Sequence, residues 1–390
     1  MTDIHLQPAL SRPAGFRFGE VSSFTAPRAL ASAVPALGPL SAFTGAFRGS
    51  GFNTIFRPDS TKTPTGLPKP ITGSDNVLEL NLTLETLSFS PSLGSVPNRG
   101  TGQQGDIFLN GVPYLQTITD VTVPNQPIGI HFEPGIWLAV PATTDPAEGA
   151  TIVRMASIPH GTTIEAQGKS STAAGKPAIP AVNITPFTAG QPDTPPNQIP
   201  FPSQTAANND TARIPQDLTS FIAAGTITQA MLNDPNTVLR NHIAAQNVVS
   251  TTTISIATQA AAPLTGGGTG NIAFLTGSAA AGGPNAQAIR MQATFWIETV
   301  QFSIQVPVFE PGQPALIIPA ETGAEGQPVP EFLVNPPIAI KTPRTIKVNA
   351  TQIQYSQEVF LNFNGLTWPH VSVATLVPNA PVPVPASAWT

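Results

Sequence analysis

The sequence predicts an all-β protein, an antiparallel barrel or sandwich, on three observations. Short segments that alternate apolar and polar residues recur between turn signals, the pattern of half-buried strands. The chain holds 44 prolines and 32 glycines among 390 residues, so it is interrupted too often for long helices. Helical periodicity is confined to 215–224 and 228–246. In the second stretch Met231, Leu232, Val238, Leu239 and Ile243 form an apolar stripe that Pro235 interrupts.

The elements follow in order. Residues 1–38 show no amphipathic period and are expected to form an extended arm packed on the body. A first strand opens near Phe43 and ends at Arg57-Pro58. Its Gly45, Gly49 and Gly51 mark a bend or a close backbone approach. The clearest strand is 77–89, with Leu78, Leu80, Leu82 and Leu84 on one face and Glu79, Asn81, Thr83 and Glu85 on the other. After a polar loop at 91–105, the Asn110-Gly111 pair predicts a hairpin turn, with 114–123 as the returning strand. Strands at 127–140, 151–156 and 162–167 follow, separated by turns at 145–149 and at Pro159-His160-Gly161.

Over 169–285 Pro, Ala, Gly, Asn and Thr dominate. This stretch is expected to be a mostly irregular insertion that packs over the strands with one or two short helices. A strand fits at 251–256. The glycine-rich run 266–270 lacks the Lys-Ser/Thr of a phosphate loop and reads as a linker. Strand grammar returns at 290–308 and 345–363. In the latter, Ile346 and Val348 lie on one parity and Ile353, Tyr355 and Val359 on the other, so a bulge or bend is predicted near Ala350. The expected map is an arm at 1–38, strand-rich regions at 39–168 and 286–377, an insertion at 169–285 and a proline-rich tail at 378–390.

Composition narrows the function. Hydrophobic residues make up 41% of the chain, enough for a core, but charged residues only 10%. The net charge of −5 and the lack of a long basic run argue against nucleic acid or an anionic membrane as partner. The absence of cysteine excludes thiolate nucleophiles and Cys-ligated zinc or iron–sulfur centres. No apolar run reaches the length of about 18 residues that a membrane helix requires. Residues 1–15 lack the basic and apolar regions of a classical signal peptide, so a cytoplasmic location is expected. No G-x-S-x-G, H-E-x-x-H or EF-hand pattern is present.

The last strand carries the residue of most chemical interest. After Trp368-Pro369, the residues Val371, Val373 and Thr375 alternate with His370, Ser372, Ala374 and Leu376. One face is bulky and suits a packed exterior. The other sets an imidazole among small or apolar groups, which suits a cavity wall. On the residues alone, His370 is either a ligand or a strand histidine with a satisfied hydrogen bond. His131, Glu133 and Gly135 share one face of their strand, so Glu133 either holds the imidazole by a hydrogen bond or pairs with it in acid–base chemistry. His160, in a turn, is expected to be exposed, and His5 and His242 are expected at the surface.

Four segments in this order resemble the nitrobindin-like heme-binding barrels. Phe43-Thr44-Gly45-Ala46-Phe47-Arg48-Gly49-Ser50-Gly51 resembles the family's opening G-T-W-x-G-x-G strand, with Phe47 in place of tryptophan. Asn110-Gly111-Val112-Pro113-Tyr114-Leu115 resembles its G-K-P-F-L-Y strand. Ile128-Gly129-Ile130-His131-Phe132-Glu133-Pro134-Gly135-Ile136-Trp137 is similar to P-L-H-x-E-x-G-F-W-R, with Leu138 where the family has arginine. Pro369-His370-Val371-Ser372-Val373-Ala374-Thr375-Leu376 resembles the closing P-H-L-x-A-x-L. The likeness spans roughly 39–168 and 286–378 and leaves out the insertion.

The resemblance implies an antiparallel up-and-down β-barrel of about ten strands, calycin-like, related in shape to fatty-acid-binding proteins and lipocalins and holding heme b. It makes His370 the proximal iron ligand, places His131 on the distal side, and lines the pocket with Ile130 and Phe360. The implied chemistry is that of ferric heme with nitric oxide, peroxynitrite or peroxide: binding, isomerisation or weak peroxidase activity. Peroxidase turnover needs a distal acid–base group, and His131 is the candidate catalytic residue. The family keeps its distal position vacant, so an open iron is expected. Two non-enzymatic readings use the same residues: a carrier of an apolar small molecule, and a structural or assembly protein, suggested by the low charge and the long insertion. A homo-oligomer fits either reading.

Overall fold

Ten antiparallel strands follow one another around a closed barrel in the computed structural model, which describes residues 34–191, 194–259, 267–272, 285–321 and 328–389. They are β1 Ala46–Pro58, β2 Asn76–Phe89, β3 Ile107–Asp120, β4 Ile128–Val140, β5 Thr151–Ile158, β6 Thr162–Ala174, β7 Asn247–Ala257, β8 Gln287–Val306, β9 Arg344–Phe363 and β10 Leu366–Pro378. Each strand pairs with the next, and β10 returns to β1 from Phe47↔Pro378 to Thr54↔Val371. The expected up-and-down, calycin-like barrel is thus present, and closure leaves no free edge in its wall. Among the described residues no helix is long and apolar enough to cross a membrane.

Both sides of the wall are buried over much of its surface. Inside, every strand contributes to one apolar cluster, including Phe47, Leu87, Tyr114, Trp137, Phe295 and Leu376. Outside, β1, β2, β8, β9 and β10 pack beneath the segment that links β6 to β7. There Phe52, Leu80, Trp296 and Val371 share a second cluster with Ile184, Leu218, Leu232 and Leu239 of that cover. Each such fully buried side chain contributes about 1.5–3 kcal/mol. The two faces of β10 fall as its alternation predicts. Val371 and Val373 belong to the outer cluster, while Ala374 and Leu376 belong to the inner one.

The cover differs from the expected insertion in two ways. The wall runs through it, because Asn247–Ala257 is the seventh barrel strand. Among its described residues it also holds three short α-helices, α1 Thr219–Ala224, α2 Gln229–Asn233 and α3 Thr237–Ile243. The stripe over 228–246 is split at Asp234-Pro235 because proline cannot continue the α2 ladder. Much of the irregular chain is organised around buried Arg213. Its guanidinium donates to the carbonyls of Ser203 (2.9 Å), Thr205 (2.9 Å), Asn208 (2.9 Å) and Gln216 (3.0 Å).

Other expectations are corrected. Asn110-Gly111 makes no turn, since β3 runs straight through it. Gly111 is required instead by close approach, because a Cβ there would stand 2.5 Å from the Trp137 carbonyl oxygen. No bulge occurs near Ala350, where β8 and β9 stay in register. The parity switch marks the point where the apolar residues pass from the outer face of β9 (Ile346, Val348, Ala350) to the lumen face (Ile353, Tyr355), while the outer face stays buried through Gln352 and Gln354, which bond to Gln246 and Leu239. Within the glycine-rich run, Gly268–Asn271 pairs with β6 rather than serving as a linker. The tail is packed: Val382–Pro383 pairs with Glu331–Val334, and Trp389 is buried. Most of the expected arm, residues 1–33, lies outside the described residues.

Two substitutions test this packing. Gly49 faces β10 so closely that a Cβ would lie 1.9 Å from the Thr375 carbonyl oxygen. Gly49→Ala should therefore cost about 1–3 kcal/mol, seen as a lower urea midpoint. An unchanged midpoint would show that β1 and β10 can separate at no cost.

The second test concerns Glu298, on the outer face of β8 near α3. It is fully buried, accepts one hydrogen bond from Gln352 (2.6 Å), and leaves Oε1 without a partner. Burial raises its carboxyl from 4.5 to about 7, against the Gln352 bond. Below pH 4.5 both folded and unfolded states hold the proton. Between 4.5 and 7 the unfolded chain ionises first, so this contribution to stability is lost as pH rises. Glu298→Gln should then match the wild type at about pH 4 and exceed it at about pH 8. Equal stability at both would contradict the assignment.

Candidate functional site

The barrel has two unlike ends. At one, the turn Gly38–Ala42 plugs the lumen, and Leu40 and Phe43 join the inner cluster. Phe43 stacks on Phe89 at 4.6 Å and meets Trp137 edge-on at 5.4 Å. Toward the other end the lumen face turns polar. The parity that places Phe47, Leu87, Tyr114, Trp137 and Ala374 inside also carries Asn53, Asn81, Thr83, Glu85, Gln116, His131, Glu133, Arg154 and His370 inward.

Arg154 on β5 is the centre of the first lumen network. Its Nε donates to Tyr114 Oη (2.7 Å), Nη1 donates to Gln357 Oε1 (2.6 Å), and Nη2 donates to Glu133. Tyr114 also donates to Glu133, whose second oxygen accepts from His131 Nε2 at 3.1 Å. Burial alone would raise the Glu133 carboxyl. The Arg154 charge, with hydrogen bonds from His131 and Tyr114, overrides burial and holds it at about 2. Gly135 makes the network possible, since a Cβ there would lie 2.6 Å from the Tyr114 ring.

Glu85 on β2 forms a second network. It accepts from Tyr355 Oη (2.6 Å), Thr83 Oγ1 (2.9 Å) and Gln116 Nε2 (3.3 Å). Burial holds its carboxyl above the usual range although all three bonds oppose this. Gly51 leaves the necessary space, because a Cβ would stand 2.9 Å from Glu85 Oε1.

The third network holds His370. Asn53 Nδ2, on the neighbouring strand, donates to His370 Nε2 (2.7 Å) and Ser372 Oγ (2.7 Å), while Asn81 donates to Asn53 Oδ1 (3.2 Å). An amide N–H can only donate, so Nε2 is the acceptor and the ring proton sits on Nδ1. Burial, then the charges of His131 and His160, pull His370 down to about 3. It is a neutral imidazole across the physiological range.

His160 is the site residue that its turn concealed. It is exposed as expected, but its ring lies 6.1 Å from that of His131, and its Nε2 donates to the Ile130 carbonyl at 3.1 Å. Ile130 is the extra residue of a β-bulge, set between the pairs Ile118↔His131 and Thr119↔Gly129. It is half-buried at the rim of the lumen. Phe360 does not line the lumen. It has the opposite parity to Tyr355 and Val359 and packs under Arg290 (3.8 Å) and beside Phe187 (6.3 Å). His242, expected at the surface, is buried on α3, where burial lowers it to about 4. Arg154, Asn53 and Tyr114 carried no sequence signal, because each matters only through partners on other strands.

Grooves of about 630 and 550 Å³ lie on the outer wall, against Pro180 and against Gly268. Cavities of about 450 and 400 Å³ flank the plug. His131 and His370 border none of these. At the level of Tyr114, Trp137, Phe295 and Tyr355 the lumen is filled by side chains. Any room for a ligand inside the barrel would therefore be at the histidine end, which none of these spaces reaches. The donor chemistry there fits a heme iron: one neutral imidazole, His370, beside the small Ser372 and Ala374. Its Nε2 lone pair is satisfied by Asn53, so ligation would exchange that hydrogen bond for an iron bond. No three His, Asp or Glu side chains converge on a preformed metal site among the described residues. No family model, curated protein or solved structure matches this chain.

Proposed function

We propose that the protein is a heme-binding barrel, with heme b seated at the histidine end and His370 as its proximal ligand. The observation that carries this reading is the placement of His370: a neutral imidazole on the lumen face of the closing strand, within electrostatic reach of His131. Bound heme supplies the chemistry with nitric oxide, peroxynitrite or peroxide. The chain's own part is to hold His131 by the Glu133 carboxylate, itself fixed by Arg154 and Tyr114, so that one imidazole of set orientation faces the ligand. Ile130 would sit at the rim and Phe360 would have no contact. A carrier of an apolar molecule is disfavoured, because charged and amide side chains occupy this end of the lumen.

Removing the competitor for the His370 lone pair tests the reading directly. Asn53→Ala should strengthen heme binding by about ten-fold, the equivalent of one neutral hydrogen bond of roughly 1–1.5 kcal/mol, in a hemin titration. Weaker binding in this variant would mean that Asn53 supports the ligand rather than competing with it.

A further inference from the structure

The proposed heme contact gives no task to His160, yet that ring is tied to the Ile130 carbonyl by a hydrogen bond of 3.1 Å. We propose that His131 and His160 together form a binding site for a divalent transition metal of the zinc or copper class. The first support is the tautomer. Each Nε2 points at an acceptor that cannot donate, the Glu133 carboxylate for His131 and the Ile130 carbonyl for His160. Each neutral ring therefore carries its proton on Nε2 and presents a bare Nδ1 lone pair. A carboxylate or backbone carbonyl behind the second nitrogen is also the arrangement that orients metal-bound imidazoles.

The second support is spacing. The ring centroids are 6.1 Å apart. Metal–nitrogen bonds of about 2.0–2.1 Å at a tetrahedral ion would set two imidazole centroids roughly 5 Å apart, so the exposed His160 ring would need to move inward by about 1 Å for one ion to bridge the pair. The third is access. His160 is exposed and the His131 side chain is 15% exposed, so a hydrated ion can reach the pair and keep water in its remaining positions. Two imidazoles, with Glu133 already bonded to Arg154, favour zinc, copper or nickel over magnesium or calcium. His370 stays outside the set, because Asn53 occupies its Nε2.

This inference does not rest on the heme reading, although heme at the same end would compete for His131. The test is a Zn²⁺ titration by calorimetry on heme-free protein carrying His5→Ala, which removes the one histidine outside the described residues. One zinc ion per chain is expected. His160→Ala, an exposed position that leaves the wall intact, and His131→Ala should each weaken binding by about ten-fold or more. His370→Ala should leave it unchanged while altering heme uptake in a parallel hemin titration, which separates the two proposals. Copper bound to the same protein should show coupling to two nitrogens by electron paramagnetic resonance. No saturable zinc binding, or equal affinity in His160→Ala, would overturn the site.

Discussion

Arg154→Met should be the most damaging single substitution in the barrel, costing about 3–5 kcal/mol. It leaves the Glu133 carboxylate, fully buried, without its counter-charge and strips partners from Tyr114 and Gln357. The double variant Arg154→Met, Glu133→Leu should recover most of that loss, because two apolar side chains can replace a buried ion pair. The pair also sets the acid response. Glu133 is held at about 2 against 4.5 unfolded, so its contribution is complete above pH 4.5 and is lost as pH falls through 2. The double variant should lack this part of the acid limb. Urea unfolding across pH measures both effects. A loss under about 1 kcal/mol in Arg154→Met would show that water or rearrangement solvates Glu133.

His370→Ala should abolish or greatly weaken the Soret band of the hemin-reconstituted protein while leaving the barrel folded. The ring is one lumen side chain at the polar end and adds little to either apolar cluster. An intact band in this variant would end the proximal assignment. His131→Leu should keep heme bound and high-spin while lowering any peroxide or peroxynitrite turnover. A low-spin spectrum that becomes high-spin on this substitution would reveal two axial histidines instead.

Much of the wall was legible because strand alternation is a local property. Leu78 and Leu80 against Asn81, Thr83 and Glu85, or Val371 and Val373 against His370 and Ser372, separate by parity before any fold is known. The Glu133–His131 bond was legible for the same reason, since residues two apart on a strand lie on one face. What parity cannot say is which face is inside. In β2 Leu78 and Leu80 face outward under the cover and Asn81, Thr83 and Glu85 line the lumen, the reverse of an uncovered barrel.

Two local rules were overridden by tertiary contacts. Asn110-Gly111 has turn chemistry, but its glycine answers to the Trp137 backbone on the next strand. The switch near Ala350 has bulge character, but it records where the apolar residues pass to the lumen face while glutamines take over the outer face beneath the cover. The sequence by itself determined the all-β class and which residues share a strand face, His370 with Ser372 and Ala374 among them, because these follow from a two-residue period. Only the tertiary structure decided that Arg154 meets Glu133 and Gln357, that Asn53 holds His370, and that His160 stands beside His131. Those pairings join residues up to 317 positions apart, and they depend on the register in which β10 closes onto β1.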